Sequence, residues 1–222
     1  GLPAVISQAL ISVMTYGLNI ILGGISESMV TAYGLYYKIW QFLLFAAFGM
    51  RDAIMPVAAF GYGMGNVRRI RDAVKYGHIY TFVIMLAGTL VLEIFAVPFA
   101  SVFGLSGETS DMCVSAMHII SICFVFAGIN IAFQGVFQAL GAGVGSLIIS
   151  VCRQLLFVFP FALVFAGIAK ADPSMYYLMW ITFPAAEILT AVVSVILFVR
   201  IWSRKVSPLD TSSAVSRPVG IG

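Results

Sequence analysis

Charge is what this sequence has least of: 12 basic and 9 acidic residues in 222, or 9%, where a soluble domain carries roughly a quarter. Hydrophobic residues make up 61% and the mean hydropathy is +1.05, which excludes both a water-soluble globule and a disordered chain. Three cysteines are too few for a disulfide framework, and Cys113, Cys123 and Cys152 lack paired metal-ligand spacing. His78 and His118 fall on different apolar segments and form no ligand cluster, so no metal site is expected. The glycine-rich run 141–145 is followed by no Gly-Lys-Ser/Thr, and neither a nucleophile elbow nor a metalloprotease motif occurs. The expectation is a protein that is not an enzyme and carries no cofactor. The opening segment also lacks a basic n-region and a small-residue cleavage site, so it reads as a span of a longer protein rather than a signal peptide.

What the sequence has instead is long apolar runs. A transmembrane helix needs about 20 largely apolar residues to cross ~30 Å of hydrocarbon. Candidate spans lie at about 2–22, 30–60, 79–103, 112–138, 146–168 and 176–202. Runs such as 42–50 and 188–199 are apolar on every side, which excludes the alternation of a membrane barrel. The fold class is therefore all-α, a polytopic membrane protein with six transmembrane helices. Residues 112–152 carry no charge and would be ~60 Å as one helix, twice the hydrocarbon thickness, so the chain must reverse at 141–145.

Basic residues sort by side. Arg68, Arg69, Arg71 and Lys75 sit in the second connection, and Arg200, Arg204, Lys205 and Arg217 at the end, which places these regions and both chain ends in the cytoplasm. The short basic run is better explained by topology and anionic headgroups than by nucleic acid. Tyr176, Tyr177 and Trp180 at the outer edge of the last span, and Trp202 at its inner end, are expected in interfacial belts. Tyr33, Tyr36, Tyr37 and Trp40 fit either a belt or a cavity wall. Residues 207–222, rich in Ser, Pro and Gly, read as a loose tail.

Polar groups at bilayer depth mark faces turned to protein or water. Gln8, Ser12, Thr15 and Asn19 share one face of the first span, and Asn130, Gln134 and Gln138 one face of the fourth. Such stripes either line a solvated cleft or hydrogen-bond neighbouring helices. Counting 1.5 Å per residue, Lys38 and Glu93 lie ~12 and ~15 Å from the outer end, and Arg153 and Glu187 meet within a few ångströms in depth. The expected buried pairs are Lys38 with Glu93 and Arg153 with Glu187, acting either to fix helix register or in transport. Pro56, Pro98, Pro160 and Pro184 fall inside spans and favour kinks.

Three stretches around the second span, Ala32-Tyr33-Gly34-Leu35-Tyr36-Tyr37-Lys38-Ile39, Met55-Pro56-Val57 and Gly61-Tyr62-Gly63-Met64-Gly65-Asn66, are familiar in combination. So are Arg153-Gln154-Leu155-Leu156 followed by Pro160, and Trp180-Ile181-Thr182-Phe183-Pro184-Ala185-Ala186-Glu187-Ile188. Together they resemble the C-terminal half of MATE (multidrug and toxic compound extrusion) transporters. The resemblance implies a twelve-helix antiporter of two six-helix lobes, with residues 1–206 as the second lobe and an N-terminal lobe of the same protein as its partner. It implies export of organic, often cationic, small molecules in exchange for sodium ions or protons, in a bacterial cytoplasmic membrane. The cleft face would include Gln8, Ser12, Asn19, Lys38, Gln41, Asn130 and Gln134. Some relatives place cation-binding carboxylates on the first and fourth of these spans; this chain has amides there, so the coupling acid is expected in the N-terminal lobe. A lipid-linked precursor flippase and a non-transporting membrane scaffold are the alternatives.

Overall fold

The computed structural model describes residues 2–210, with side chains from residue 5 onward. Among these residues the structure is helical throughout and contains no strand. Five helices are long and apolar enough to cross a membrane, and a bent pair makes a sixth crossing. The helices are α1 (Leu2–Gly23), α2 (Glu27–Gly63), α3 (Val67–Val102), α4 (Gly107–Ser121), α5 (Phe124–Ala139), α6 (Gly143–Val151), α7 (Val158–Ala171) and α8 (Leu178–Lys205). A π-turn, Cys152–Leu156, joins α6 to α7, and a 3₁₀ turn, Pro173–Met175, precedes α8.

The second connection is far shorter than its basic run suggested. Arg68, Arg69, Arg71 and Lys75 belong to the first turns of α3, and only Met64, Gly65 and Asn66 separate it from α2. At 37 and 36 residues, α2 and α3 are each about 55 Å long, so they project well beyond the hydrocarbon. The turn is closed by Gly65 at φ 64, with Asn66 N–H donating to Gly61 O at 2.9 Å and Gly65 N–H to Tyr62 O at 3.1 Å. That is the left-handed C-terminal cap that glycine adopts without steric cost. Asn66 then caps α3, its side-chain oxygen accepting from Arg69 N–H at 3.0 Å.

Ser26 does the same for α2, accepting from Met29 N–H at 3.2 Å, with Glu27 in the first turn. Replacing Ser26 by alanine is expected to cost about 1 kcal/mol, read as a lower thermal midpoint and faster amide exchange at residues 27–29. In the connection between α7 and α8, Asp172 accepts from Ser174 N–H at 3.0 Å and Ser174 Oγ at 2.7 Å. Those two bonds hold its carboxyl below the usual carboxylate range.

Two spans are interrupted. The fourth is broken between α4 and α5, which meet at 51°. Thr89 Oγ1 donates to Ser121 O at 3.0 Å, satisfying a carbonyl at the end of α4. The fifth span carries the π-turn, and Pro160 stands just beyond it in the first turn of α7. Proline lacks an N–H and its ring collides with the carbonyl four residues earlier, so widening the preceding turn relieves the clash.

The main core gathers Leu18, Leu22, Met29, Tyr33, Tyr36, Met85, Leu92, Met117, Phe124 and Trp180. Trp180 is completely buried, which corrects its expected place in an interfacial belt. It lies in the first turn of α8, and its indole fills the bundle. A second cluster near the end that holds both the start of α1 and the end of α8 joins Ile54, Ile70, Phe137, Leu140, Ile149 and Val206. Residues 207–210 of the expected loose tail continue as helix, and Asp210 approaches Arg71 at 3.8 Å. Residues 211–222 lie outside the described residues.

Candidate functional site

The polar interior is built from three spans. The π-turn presents Arg153 toward α8, where its Nη2 donates to Glu187 Oε1 at 2.7 Å and its Nε lies 2.9 and 3.0 Å from the two carboxylate oxygens. Asn130 on α5 adds two bonds, from Nδ2 to Glu187 Oε2 at 2.8 Å and to the Glu187 backbone oxygen at 3.1 Å. Its own Oδ1 accepts from Ser194 Oγ at 2.8 Å. Arg153 and Glu187 are each more than 90% buried. Ions at that burial persist when paired and hydrogen-bonded, and here the two charges meet directly while Asn130 adds a further donor to the carboxylate.

Toward the termini the polarity continues as a ladder across the α5 and α6 hairpin. Gln134 Nε2 donates to Ser150 Oγ at 2.7 Å, and Gln138 Nε2 to Ser146 Oγ at 2.8 Å. The hydroxyls of Ser150 and Ser7 lie 2.7 Å apart, tying α1 to the ladder.

Two crevices flank this network and share Ile11, Phe48, Arg153 and Gln154. One is aromatic, walled by Tyr36, Trp40 and Phe183 and ending at Glu187. The other is polar, with Ser7, Gln8, Arg51, Gln134, Gln138 and Ser150. Gln154 Oε1 and Trp40 Nε1 are buried and find no hydrogen-bond partner within the protein. Each crevice holds about 30 Å³, room for one or two waters and far below the ~300 Å³ of a small-ligand pocket. Neither crevice is therefore a drug-sized chamber by itself. Tyr36 and Trp40 are cavity wall and not belt.

The seven expected cleft residues separate into two groups. Gln8, Ser12, Lys38 and Gln41 are exposed on α1 and α2, and Asn19 is half-buried with its Nδ2 donating to Thr15 O at 2.9 Å. Asn130 and Gln134, in contrast, are buried between helices. Asn130 is bonded through both ends of its amide, and Gln134 donates through Nε2 to Ser150 Oγ, as the packing alternative for that stripe requires. Gln8 and Gln134 nevertheless line the same polar crevice.

The expected pair of Lys38 with Glu93 does not form. Glu93 Oε2 lies 2.6 Å from His118 Nδ1, and Ser121 Oγ donates to Glu93 Oε1 at 2.6 Å. Lys38 is exposed on α2, between the buried Tyr36 and Trp40. Depth placed the two residues level, but Glu93 follows the buried Leu92 by one residue, a rotation of about 100° that turns it toward α4. Arg51 pairs with its neighbour Asp52 at 2.7 Å. Among the described residues no cluster of histidine, cysteine or carboxylate groups has metal-binding geometry.

The ladder serines 146 and 150, and His118 and Ser121 as the partners of Glu93, were not singled out from sequence, although a signal exists. Gln134 with Ser150 and Gln138 with Ser146 are both centred on Ala142, in the turn between α5 and α6. Residues equidistant from a tight helical turn sit at the same level on antiparallel neighbours.

Taken together, these features define an all-helical bundle of a polytopic membrane protein whose polar groups are organised inside it. The MatE family model matches residues 3–164, and the chain belongs to that family. Multidrug export protein MepA of Staphylococcus saprophyticus is 23% identical over 160 residues, covering 71% of this chain and 35% of the relative. The MepA protein of Staphylococcus aureus is 25% identical over 164 residues with the same coverage. An outward-facing multidrug resistance MATE family transporter of the MOP superfamily superposes at a TM-score of 0.83 with 25% identity, over 95% of this chain and 46% of that one. A MOP superfamily transporter from Pyrococcus furiosus, described as having a binding pocket of reverse polarity, superposes at 0.81 with 26% identity and the same coverage. The chain thus spans about a third of the length of the curated relatives it matches.

Proposed function

We propose that this chain is the C-terminal lobe of a secondary active multidrug efflux transporter that works by alternating access, in exchange for sodium ions or protons. The observation that carries the reading is the division of polar residues. Asn130, Gln134, Arg153 and Glu187 are satisfied inside the bundle, whereas Gln8, Ser12, Lys38 and Gln41 remain exposed beside Tyr16, Phe42 and Phe45 on α1 and α2. Exposed amides and hydroxyls at membrane depth need a wet or protein surface opposite them. A partner lobe facing α1 and α2 would supply it and enclose a substrate space that the small crevices cannot.

Lys38 gives that face positive charge, so neutralisation of a cationic substrate and binding of the coupling ion fall to the N-terminal lobe. A flippase for lipid-linked pyrophosphates would need several free basic groups here. Arg153 is neutralised by Glu187, which leaves Lys38, and efflux is the better account. The basic first turns of α3 and last turn of α8 support a cytoplasmic placement of both ends.

Single cysteines introduced at Gln8, Gln41 and Asn130 of the full-length protein test the division. A membrane-impermeant thiol reagent is expected to label the first two in at least one conformational state and to leave the third protected. Equal protection of all three would mean a packed scaffold. A drug accumulation assay with and without sodium and proton gradients tests the activity itself, and insensitivity to both gradients would exclude antiport.

A further inference from the structure

We propose that the groove between α3 and α8 is a binding site for an anionic phospholipid, with its headgroup held at the end of the bundle that carries both chain ends. The groove exists because α3 and α8 both pack against α5 without packing closely on each other. Its upper part holds about 370 Å³ and is lined by Arg71, Val74, Lys75, Phe198, Val199 and Trp202. Further along the same face of α3 a second apolar hollow of about 250 Å³ lies beside His78, Ile79, Phe82 and, from α5, Ile129.

The α3 contributors, Arg71, Val74, Lys75, His78 and Phe82, recur at three or four residues and so form one stripe. From Arg71 to Phe82 that stripe is about 16 Å long, the thickness of one leaflet's hydrocarbon. Charge is confined to one end. Arg71 and Lys75 stand at the mouth with Trp202 and Ser203, and the remainder is apolar. A basic mouth at interfacial depth opening into an acyl-length apolar trough is complementary to a negatively charged headgroup on a hydrocarbon chain. Arg71 keeps capacity for it, since its contact with Asp210 is long at 3.8 Å and both side chains are largely exposed.

The groove lies away from the α1 and α2 face on which the transport reading rests, and its test does not depend on transport. The full-length protein is placed in nanodiscs of phosphatidylcholine containing increasing phosphatidylglycerol with brominated acyl chains, and the quenching attributable to Trp202 is taken as the difference from W202F. Brominated phosphatidylglycerol is expected to quench Trp202 at lower mole fraction than brominated phosphatidylcholine. Each of R71A and K75A should raise the half-quenching fraction about fivefold, and the double variant on the order of 20-fold. V199W, which fills the trough and keeps the charge, should also reduce quenching. Equal quenching by the two lipids in the wild type would overturn the proposal. So would loss of the preference on adding inorganic phosphate, which would mean a free-anion site. A rise in quenching by both lipids alike on deleting residues 211–222 would mean that the chain's own tail occupies the groove, and would overturn it too.

Discussion

Replacing Arg153 by methionine is expected to destabilise the protein by about 3–5 kcal/mol, the cost of leaving a carboxylate buried without its counter-charge. Glu187 is buried at the end of the narrow aromatic crevice, and without the guanidinium its carboxylate keeps one neutral hydrogen bond, from Asn130 Nδ2, where Arg153 supplied charge. The variant should be recovered in small amount and unfold at markedly lower temperature, measured on the full-length protein in detergent. Substituting Glu187 by methionine as well removes the orphaned charge and should restore most of the stability, because apolar side chains of similar volume replace buried ion pairs at little cost. Drug efflux per folded molecule is expected to survive in the double variant. A stable double variant without efflux would instead assign the pair to the transport cycle, so the two roles are separable in one series.

Gly135→Leu carries the second large effect. A Cβ at this position would sit 2.7 Å from Arg51 Cγ and 3.1 Å from the Arg51 carbonyl oxygen. The obstacle includes α2 backbone, which no rotamer change moves, so α2 and α5 must separate. Overpacking of this kind costs on the order of 3 kcal/mol, and the unfolding midpoint should fall accordingly. Gly34→Leu serves as the control, because nothing lies within 4 Å of a Cβ there. A Gly135→Leu protein as stable as the control would mean that the α2 and α5 crossing is not as close as described.

The all-helical membrane class and its long apolar helices were legible because they depend on length and hydropathy alone. Arg153 and Glu187 were matched by depth and do meet. Lys38 and Glu93 were matched by the same arithmetic and do not, since both straddle the Gly65 and Asn66 turn but point in different directions. Glu93 and His118 are centred on the next turn, near Leu105, and there the helix phases agree. Depth is a one-dimensional coordinate, and a partner also needs the right azimuth, which only the packing of a particular hairpin decides. The interruption between α4 and α5 had no signal at all. Ser121, Ile122, Cys123 and Phe124 include neither proline nor glycine, and the bend is held instead by Thr89 reaching across from α3. The extra helical turns of α2 and α3 were hidden by charge, which marks the edge of the membrane but does not end a helix.

The interruption of the fourth span bears on how the protein rearranges. An unbroken helix bends only by straining its backbone ladder, whereas a span already divided at Ser121 and Phe124 has surrendered those bonds in the resting structure. Its two segments are anchored differently: α5 is bolted to α6 and α8 through amides, while α4 is tethered to α3 at its end by one threonine and one carboxylate. Reorienting α4 about this joint would exchange those side-chain bonds and slide Cys113, Met117 and Ile120 across the apolar core, but it would melt no helix, so the joint is where this bundle bends at least cost to its backbone.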